Sequence, residues 1–338
     1  MKILIEMKHG LGDCVTMLPA IKAIRNTYPD AYIAMIVNGK ANQDIFEHAR
    51  IKIDKYYYIS LKDRSKLHTV KMLIQLRKEY FTHGVMATMT PASKGKLLFK
   101  LLGIKHCYGE QYEGLSFLDL DNTVHFVNRN LNIIKNMPVT IVDKQPRLYV
   151  TEADSIEVKY LYKNCPVIAI NIGGADKNYY KGNYVYTRAW KRESMHELTA
   201  LLSNSQCEVL LLGGVLEESL LRNYKDILVK KNVHNFVNKT SIGQTMYLLS
   251  QADISIGVDT GMQHVADALG IRTLSIFGPT NPDTHGAFSN QASFIMGQCP
   301  YQFCFDTEIY YTCSNRICMN SITSKNVYDK VMEILYDE

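Results

Sequence analysis

The sequence lacks any long run of apolar residues. The apolar start, residues 1–7, turns polar at Lys8 and His9, and no later stretch approaches the roughly 18 uninterrupted apolar residues of a membrane span. We therefore expect neither a signal peptide nor an embedded protein. The expected location is the cytoplasm, with possible peripheral contact at the inner face of the membrane.

Strong charge imbalance, internal repeats and low-complexity tracts are also missing. Lys plus Arg minus Asp plus Glu gives 38 − 33 = +5, which is far from the basic footprint of a nucleic-acid-binding protein. This mild excess is compatible with anionic ligands or a loose attraction to acidic lipid. Hydrophobic residues make up 46% and charged residues 21%, as in ordinary globular proteins. The 338 residues suffice for two domains of about 150 residues each.

Short, often β-branched apolar runs alternate with stretches of helical spacing. Runs of this kind are typical of strands buried on both faces, and their alternation with helices predicts parallel sheets with right-handed crossovers. The predicted strands are residues 3–5, 32–37, 56–59, 84–87, 167–171, 209–212, 254–257 and 273–277.

These runs form two series, which predicts an α/β protein with two Rossmann-like domains facing a cleft. We expect an amino-terminal domain at 1–150 and a carboxyl-terminal domain at 165–320. A final helix at 321–338, opened by Thr323 and Ser324, is expected to pack back toward the amino-terminal domain.

The first predicted turn contains Gly10, Gly12 and Asp13 and lies between a strand and a helix. Glycines there allow a tight turn and close approach of a ligand, and helix-start amides favour negative charge. A nicotinamide site is disfavoured, because Val15 occupies the third glycine position of a dinucleotide fingerprint and Asn38 replaces the acid that would bind a ribose hydroxyl.

Asp13 has two interpretations. An Asp after Gly at a helix start is commonly an N-cap. At the carboxyl edge of a strand facing a cleft, the same carboxylate can act as a general base that the helix dipole keeps ionised. The residues alone leave both open.

A second strand-to-helix turn contains Asp259, Thr260, Gly261 and His264. Asp259 and Thr260 are acceptable caps, but Gly261 lowers helix propensity and is explained by close approach of a ligand. Thr260 and His264 lie four residues apart on one helical face. A hydroxyl, bare amides and an imidazole can therefore converge on one anionic group.

Together the two turns resemble glycosyltransferase family 9, the heptosyltransferases of the GT-B architecture. The resemblance runs through residues 2–29, with Gly12-Asp13 and Leu18-Pro19-Ala20, and through Asp259-Thr260-Gly261 with His264, Ala268-Leu269-Gly270 and Phe277-Gly278-Pro279-Thr280. With the pattern of elements, it covers most of the chain.

The resemblance implies an inverting transfer of a sugar, without a required metal or other cofactor, from a nucleotide diphosphate donor that is ADP-heptose by default. The acceptor would be a hydroxyl of a lipopolysaccharide-type or other surface glycan or glycolipid. Asp13 would be the base, with Gly10 and Gly12 in the acceptor loop of the amino-terminal domain. Asp259, Thr260, Gly261 and His264 of the carboxyl-terminal domain would hold the donor.

The same resemblance implies donor contacts from Thr187, Arg188 and Glu217. The sequence departs from the family pattern, because Arg188 stands for the usual Lys and Lys191 replaces a proline. Lys177, Lys181 or Lys191 therefore remains an alternative phosphate partner. Trp190, the only Trp, is either a packing anchor or a ligand contact.

Four cysteines crowd into 20 residues: Cys299, Cys304, Cys313 and Cys318. Four residues separate the members of each pair, slightly more than zinc sites prefer. We favour reduced or disulfide-paired structural cysteines over a structural metal site, and we expect the segment to lie away from both turns.

Two other functions remain open at this stage. One is a nucleotide-sugar epimerase or isomerase of the same architecture, which needs no separate base for an acceptor. The other is a non-catalytic nucleotide-sugar-binding module. The sugar, the nucleotide, the acceptor and the oligomeric state are not encoded in these motifs.

Overall fold

The structure is a computed structural model that describes residues 1–59, 66–88, 90, 92–109, 123–158, 164–174, 178–180, 183–185, 188–305 and 307–336. The chain divides into two compact units, Met1–Tyr149 and Val150–Glu338. Each unit is an α/β body with its own parallel sheet, in agreement with the fold class that the sequence predicts.

The first unit contains a five-stranded sheet. Its strands are β1 (Lys2–Met7), β2 (Tyr32–Val37), β3 (Lys55–Tyr58), β4 (His83–Met86) and β5 (His106–Tyr108). Its helices are α1 (Leu11–Thr27), α2 (Lys40–His48), α3 (Lys66–Lys78), α4 (Ala92–Leu102) and α5 (Phe126–Ile133). The strands pair in parallel in the order β3-β2-β1-β4-β5.

The second unit contains a six-stranded sheet and a small hairpin. Its strands are β6 (Val167–Asn171), β7 (Asn178–Tyr180), β8 (Asn183–Val185), β9 (Glu208–Leu212), β10 (Val233–Asn235), β11 (Ile254–Val258), β12 (Arg272–Phe277) and β13 (Ala292–Met296). Its helices are α6 (Arg192–Ser203), α7 (Ile242–Ser250), α8 (Gly261–Ala268), α9 (Pro282–His285), α10 (Glu308–Thr312), α11 (Ile317–Asn320) and α12 (Ser324–Tyr336). The large sheet is parallel, in the order β10-β9-β6-β11-β12-β13, and β7 pairs with β8.

The central strands form because their side chains are apolar on both faces. All five residues of β6, β9 and β11 are buried, as expected for parallel strands covered by helices on each side. The strands that apolar runs do not reveal are short or partly exposed: β5 and β10 have three residues each, and β13 is half-exposed.

The final helix, α12, packs within the second unit. Its apolar residues Val327 and Val331 are fully buried in the core of that unit. The Ser324 hydroxyl donates to the Ser194 carbonyl at 3.0 Å, which fixes the start of α12 on α6. The expected packing of this helix toward the amino-terminal domain stays a prediction.

None of the helices in the described part of the chain is long and apolar enough to cross a membrane.

Candidate active site

Both sheets reverse their strand order next to their first strand. In the first unit, β2 lies on one side of β1 and β4 on the other; in the second, β9 and β11 flank β6 in the same way. Connections on opposite sides of such a point leave a crevice at the carboxyl ends of the strands, where ligands of open α/β sheets bind. Both turns selected from the sequence lie at these points.

Asp13 is the third residue of α1 and is partly exposed. Its Oδ2 accepts a hydrogen bond of 2.9 Å from the Gly10 backbone N–H. Among the described residues, Oδ1 has no hydrogen-bond partner. The N-cap of α1 is Gly10, so the interpretation of Asp13 as the N-cap is wrong. Its carboxylate instead accepts from the N-cap N–H through one oxygen, and the other oxygen stays available to a ligand.

The glycine before α1 leaves room for the Asp13 carboxylate. Gly10 has φ −68°, which any residue can adopt. A Cβ at this position would lie 3.3 Å from Asp13 Oδ2, closer than most carbon contacts. Gly10 thus allows the carboxylate to fold back on the helix start, whereas Gly12 lies inside the first turn of α1.

A buried hydrogen-bond chain crosses the first switch point. Glu6 of β1 is fully buried and pairs with Lys8 Nζ at 3.0 Å. The Thr90 hydroxyl donates to Glu6 Oε2 at 2.9 Å and lies 2.7 Å from His9 Nε2. Because that hydroxyl has one proton and gives it to the carboxylate, His9 must donate through Nε2. Sequence reasoning missed this chain of hydrogen bonds, although the charged Glu6 inside the apolar strand β1 indicates it.

Cys14, next to Asp13, is not a candidate nucleophile. It is fully buried, and its burial raises the pKa of the thiol to about 12. Asn42 Nδ2 lies 2.9 Å from both the His9 carbonyl and Cys14 Sγ. Asn42 therefore fixes the turn, and Asp13 stays the candidate base of this region.

The second switch point is built on two glycines that sequence reasoning did not select. Gly173 and Gly174 follow β6, and Gly174 has φ +119°, a conformation that favours glycine. A Cβ at Gly174 would overlap the Thr260 methyl group, and one at Gly173 would overlap the side chain of Glu217. The paired glycines after a buried strand were the available signal.

Asp259 follows β11 and is buried, with 5% of its surface exposed. Its Oδ2 accepts 2.7 Å from the Thr280 hydroxyl and 3.1 Å from Arg188 Nη1. Arg188 keeps 27% of its side chain exposed. The carboxylate therefore faces the protein and fixes a guanidinium at the carboxyl edge of the sheet.

Thr260 and His264 belong to the start of α8. Thr260 is the extended N-cap residue but makes no side-chain cap, and its hydroxyl oxygen is buried without a hydrogen-bond partner among the described residues. His264 is partly exposed, and its imidazole has no hydrogen-bond partner within the described ranges of the chain. Gly261 begins the helix, so its backbone and that of Met262 present amides without intrahelical acceptors.

Glu217 approaches the same crevice from β9. Its Oε2 accepts 2.8 Å from the Gly214 backbone N–H, and its side chain covers Gly173. Arg188, Glu217, Asp259, Thr260, Gly261 and His264 are thus all in the second unit, at the carboxyl ends of its strands. Thr187, Lys177 and Lys181 lie outside the described residues.

Trp190 is a packing anchor. It is 6% exposed and donates from Nε1 to the Ile322 carbonyl at 3.0 Å. Arg316 donates to the Ala189 carbonyl at 3.3 Å. These bonds attach the Arg188 segment to the segment that contains the late cysteines.

The late cysteines are free thiols. Cys299, Cys304, Cys313 and Cys318 form no disulfide, and no group of three or more His, Cys, Asp or Glu side chains in the described residues is arranged to hold an ion. Burial, followed by the nearby Cys299 and Cys304, raises the pKa of Cys318 to about 11. The preference for structural cysteines over a metal site stays a prediction.

The segment also lies closer to the donor turn than its place in the sequence suggests. A Cβ at Gly278 would lie 3.1 Å from Cys318 Sγ. The Phe305 N–H donates to the Pro279 carbonyl at 3.1 Å. The segment therefore packs against the loop that presents Thr280 to Asp259, and the expectation that these cysteines lie away from the second turn is wrong.

Comparison with known proteins agrees with this geometry. The family model described as glycosyltransferase family 9 (heptosyltransferase) matches residues 75–313. This chain belongs to glycosyltransferase family 9. It is therefore a glycosyltransferase.

A lipooligosaccharide heptosyltransferase 2 from Campylobacter jejuni is 23% identical over 297 residues, which cover 83% of this chain and 82% of that protein. A family 9 glycosyltransferase from Veillonella parvula superposes with a TM-score of 0.81 at 15% identity, covering 100% of this chain and 98% of that one. ADP-heptose LPS heptosyltransferase II of E. coli gives 0.73 at 18% identity, with coverages of 99% and 98%. The two structures establish the GT-B fold.

Proposed function

We propose that this glycosyltransferase transfers heptose, with inversion and without a metal, from ADP-heptose to a hydroxyl of a lipopolysaccharide-type or other surface glycan. Membership of the family accounts for sugar transfer. The names of the Campylobacter jejuni and E. coli proteins support heptose as the sugar and ADP as its carrier.

The observation that carries the proposal is the Arg188–Asp259 pair beside the start of α8. A diphosphate leaving group needs positive charge and hydrogen-bond donors where its negative charge develops. Arg188 is held at 3.1 Å by a buried carboxylate. The unpartnered Thr260 hydroxyl and the amides of Gly261 and Met262 supply donors, and His264 adds an imidazole.

Asp259 acts in this proposal as a positioning residue. A buried carboxylate that faced the diphosphate would repel it. Instead its charge is matched by Arg188 and its Oδ2 accepts the Thr280 hydroxyl proton. It therefore orients the guanidinium that binds the phosphates, and it touches neither the sugar nor the nucleotide.

Asp13 supplies the base. The acceptor hydroxyl gives its proton to the unpartnered Oδ1, and the resulting nucleophile attacks the anomeric carbon on the face opposite the leaving group. The bond to the diphosphate breaks at the same time, so the configuration at that carbon inverts. The acceptor proton thus ends on a carboxylate that lies in the first turn of α1.

A thermal-shift screen against ADP, UDP, GDP and dTDP tests the nucleotide, because a ligand that binds only the folded chain raises its melting temperature. We expect the largest shift with ADP. Release of nucleoside diphosphate should then require an acceptor glycan, and proton NMR of the product should give the anomer opposite to that of the donor. Release with retained configuration would contradict the mechanism, and conversion of the donor sugar without acceptor would indicate an epimerase.

A further inference from the structure

The outer faces of α3 and α4 combine exposed apolar side chains with unbalanced positive charge. On α3, Val70 and Ile74 are 50% and 51% exposed; on α4, Leu97 and Leu101 are 59% and 47% exposed. We call these four residues, together with Lys71, Lys78, Lys94 and Lys100, the α3–α4 surface.

The two helices lie side by side on one face of the first sheet. Met72 and Leu76 of α3 and Phe99 and Leu102 of α4 enter a single buried cluster with that sheet. Arg77 donates from its guanidinium to the Leu101 carbonyl, which joins the carboxyl ends of the two helices. The residues of the α3–α4 surface occupy the helical positions opposite this buried face.

The charges of this surface all have one sign. Between residues 66 and 78 and between 92 and 105 the sequence contains no Asp or Glu. Lys71, Lys78, Lys94 and Lys100 have no acidic partner among the described residues. Glu79, the residue after Lys78, is already paired with Lys2 and Lys55.

Other surface helices of the same chain are different. On α2, Lys40 pairs with Asp44 one turn away, and on α12, Lys325 pairs with Asp329. Mixed charges of this kind are typical of a face that only meets water. A face with lysines alone around exposed aliphatic side chains is typical of elements that lie on anionic lipid.

We propose that the α3–α4 surface docks the protein on an anionic phospholipid membrane. The lysines contact the headgroups, and Val70, Ile74, Leu97 and Leu101 enter the interface between headgroups and acyl chains. The attachment is peripheral and reversible. It stands apart from the proposed function, although a membrane-bound glycolipid acceptor would benefit from it.

Co-sedimentation with vesicles tests the proposal. The full chain is mixed with phosphatidylcholine vesicles and with vesicles in which about a third of the lipid is phosphatidylglycerol. We expect binding at least about tenfold stronger to the anionic vesicles, weakening as salt shortens the range of the charges. Equal or absent binding to both would overturn the proposal. Since neither donor nor acceptor is present, failure of the transfer chemistry could not produce this result.

Two pairs of matched variants locate the surface. Lys94→Glu with Lys100→Glu and Lys225→Glu with Lys231→Glu each lower the net charge from +5 to +1. We expect at least about tenfold weaker vesicle binding for the first pair and less than about threefold for the second. Equal losses would mean that net charge alone attracts the lipid, which overturns the assignment to α3 and α4.

The apolar contribution has its own control. Ile74→Ser with Leu97→Ser should reduce binding that survives high salt, whereas Val142→Ser with Val229→Ser, at positions 82% and 81% exposed, should not. Sedimentation velocity without lipid adds a last check. If the wild-type chain dimerises and the Ile74/Leu97 variant is monomeric, the surface belongs to a second copy of the chain and the membrane proposal is wrong.

Discussion

Two aspartates occupy comparable places in the two units but have opposite environments. Asp13 and Asp259 each follow the strand at a switch point and precede or open a helix. Asp13 is partly exposed, with one oxygen bonded to the Gly10 N–H and the other unpartnered. Asp259 is buried and bonded to Arg188 and Thr280. We propose that the first carboxylate accepts a proton, whereas the second holds the Arg188 guanidinium.

The difference follows from their position relative to the helix. Asp13 is the third residue of α1, so its side chain bends back over the exposed amides of the first turn. Asp259 lies two residues before α8, on the turn that leaves β11, and its side chain meets the loop after β12. In the proposed mechanism, a difference of a few residues along a strand-turn-helix motif thus separates a base from a positioning residue.

The largest expected effect is that of Asp13→Asn. The amide oxygen can still accept from the Gly10 N–H, so the helix start and the fold should persist. Without a proton acceptor, transfer should fall by on the order of a hundredfold or more. Acceptor-dependent release of nucleoside diphosphate measures this loss. Retention of more than about a tenth of the activity would move the base elsewhere.

Arg188→Ala tests the proposed diphosphate site beside Asp259. Loss of the guanidinium should weaken ADP binding at least about tenfold, or about 1.4 kcal/mol. Arg147→Ala is a matched control, because Arg147 is an exposed arginine whose partner is Asp143. Fluorescence or calorimetric titration with ADP measures the affinities of both variants. Equal affinities of the two variants would assign the diphosphate to another cation, such as Lys191.

Gly261→Ala sharpens the role of the α8 amides. Alanine raises helix propensity, so a structural glycine predicts a chain stabilised by up to about 1 kcal/mol with normal affinity. Close approach of the diphosphate instead predicts a well-folded variant that binds ADP about tenfold more weakly. Thermal melting and titration of the same sample separate these cases. Unchanged affinity in a folded variant would remove Thr260 and His264 from the donor site as well.

The smallest expected effect is that of metal removal. In the proposed mechanism, Arg188 and backbone amides stabilise the negative charge of the leaving group, so no metal ion is needed there. Activity in EDTA should lie within about twofold of that in magnesium. A strict requirement for a divalent ion would show that the second switch point lacks part of its machinery without it.

Much of the fold and part of the candidate site can be predicted from the sequence. The apolar runs at 32–37, 167–171 and 254–257 predict buried parallel strands, because they are short, contain β-branched residues and alternate with stretches of helical spacing. The residue types of the two turns indicate helix-start sites for anions or a base. The pairing of Arg188 with Asp259, 71 positions apart, requires the fold, since spacing carries no information about it.

What the sequence did not reveal depends on burial and on close packing. The Glu6–Thr90–His9 chain joins residues 81 or more positions apart and follows from strand order. Gly173 and Gly174 are required because Glu217 and Thr260 fill the space of their missing side chains. The spacing of the late cysteines favours structural cysteines over a metal site, but it does not predict that Cys318 packs against Gly278.

Titration of ADP into Asp13→Asn and Asp259→Asn tests the central contrast most directly. Each variant removes one negative charge and keeps the shape of the side chain. The account predicts wild-type affinity for Asp13→Asn and at least about tenfold weaker binding for Asp259→Asn, because only the latter releases Arg188. Weaker ADP binding in Asp13→Asn, or unchanged binding in Asp259→Asn, would contradict the assignment of base and positioning residue.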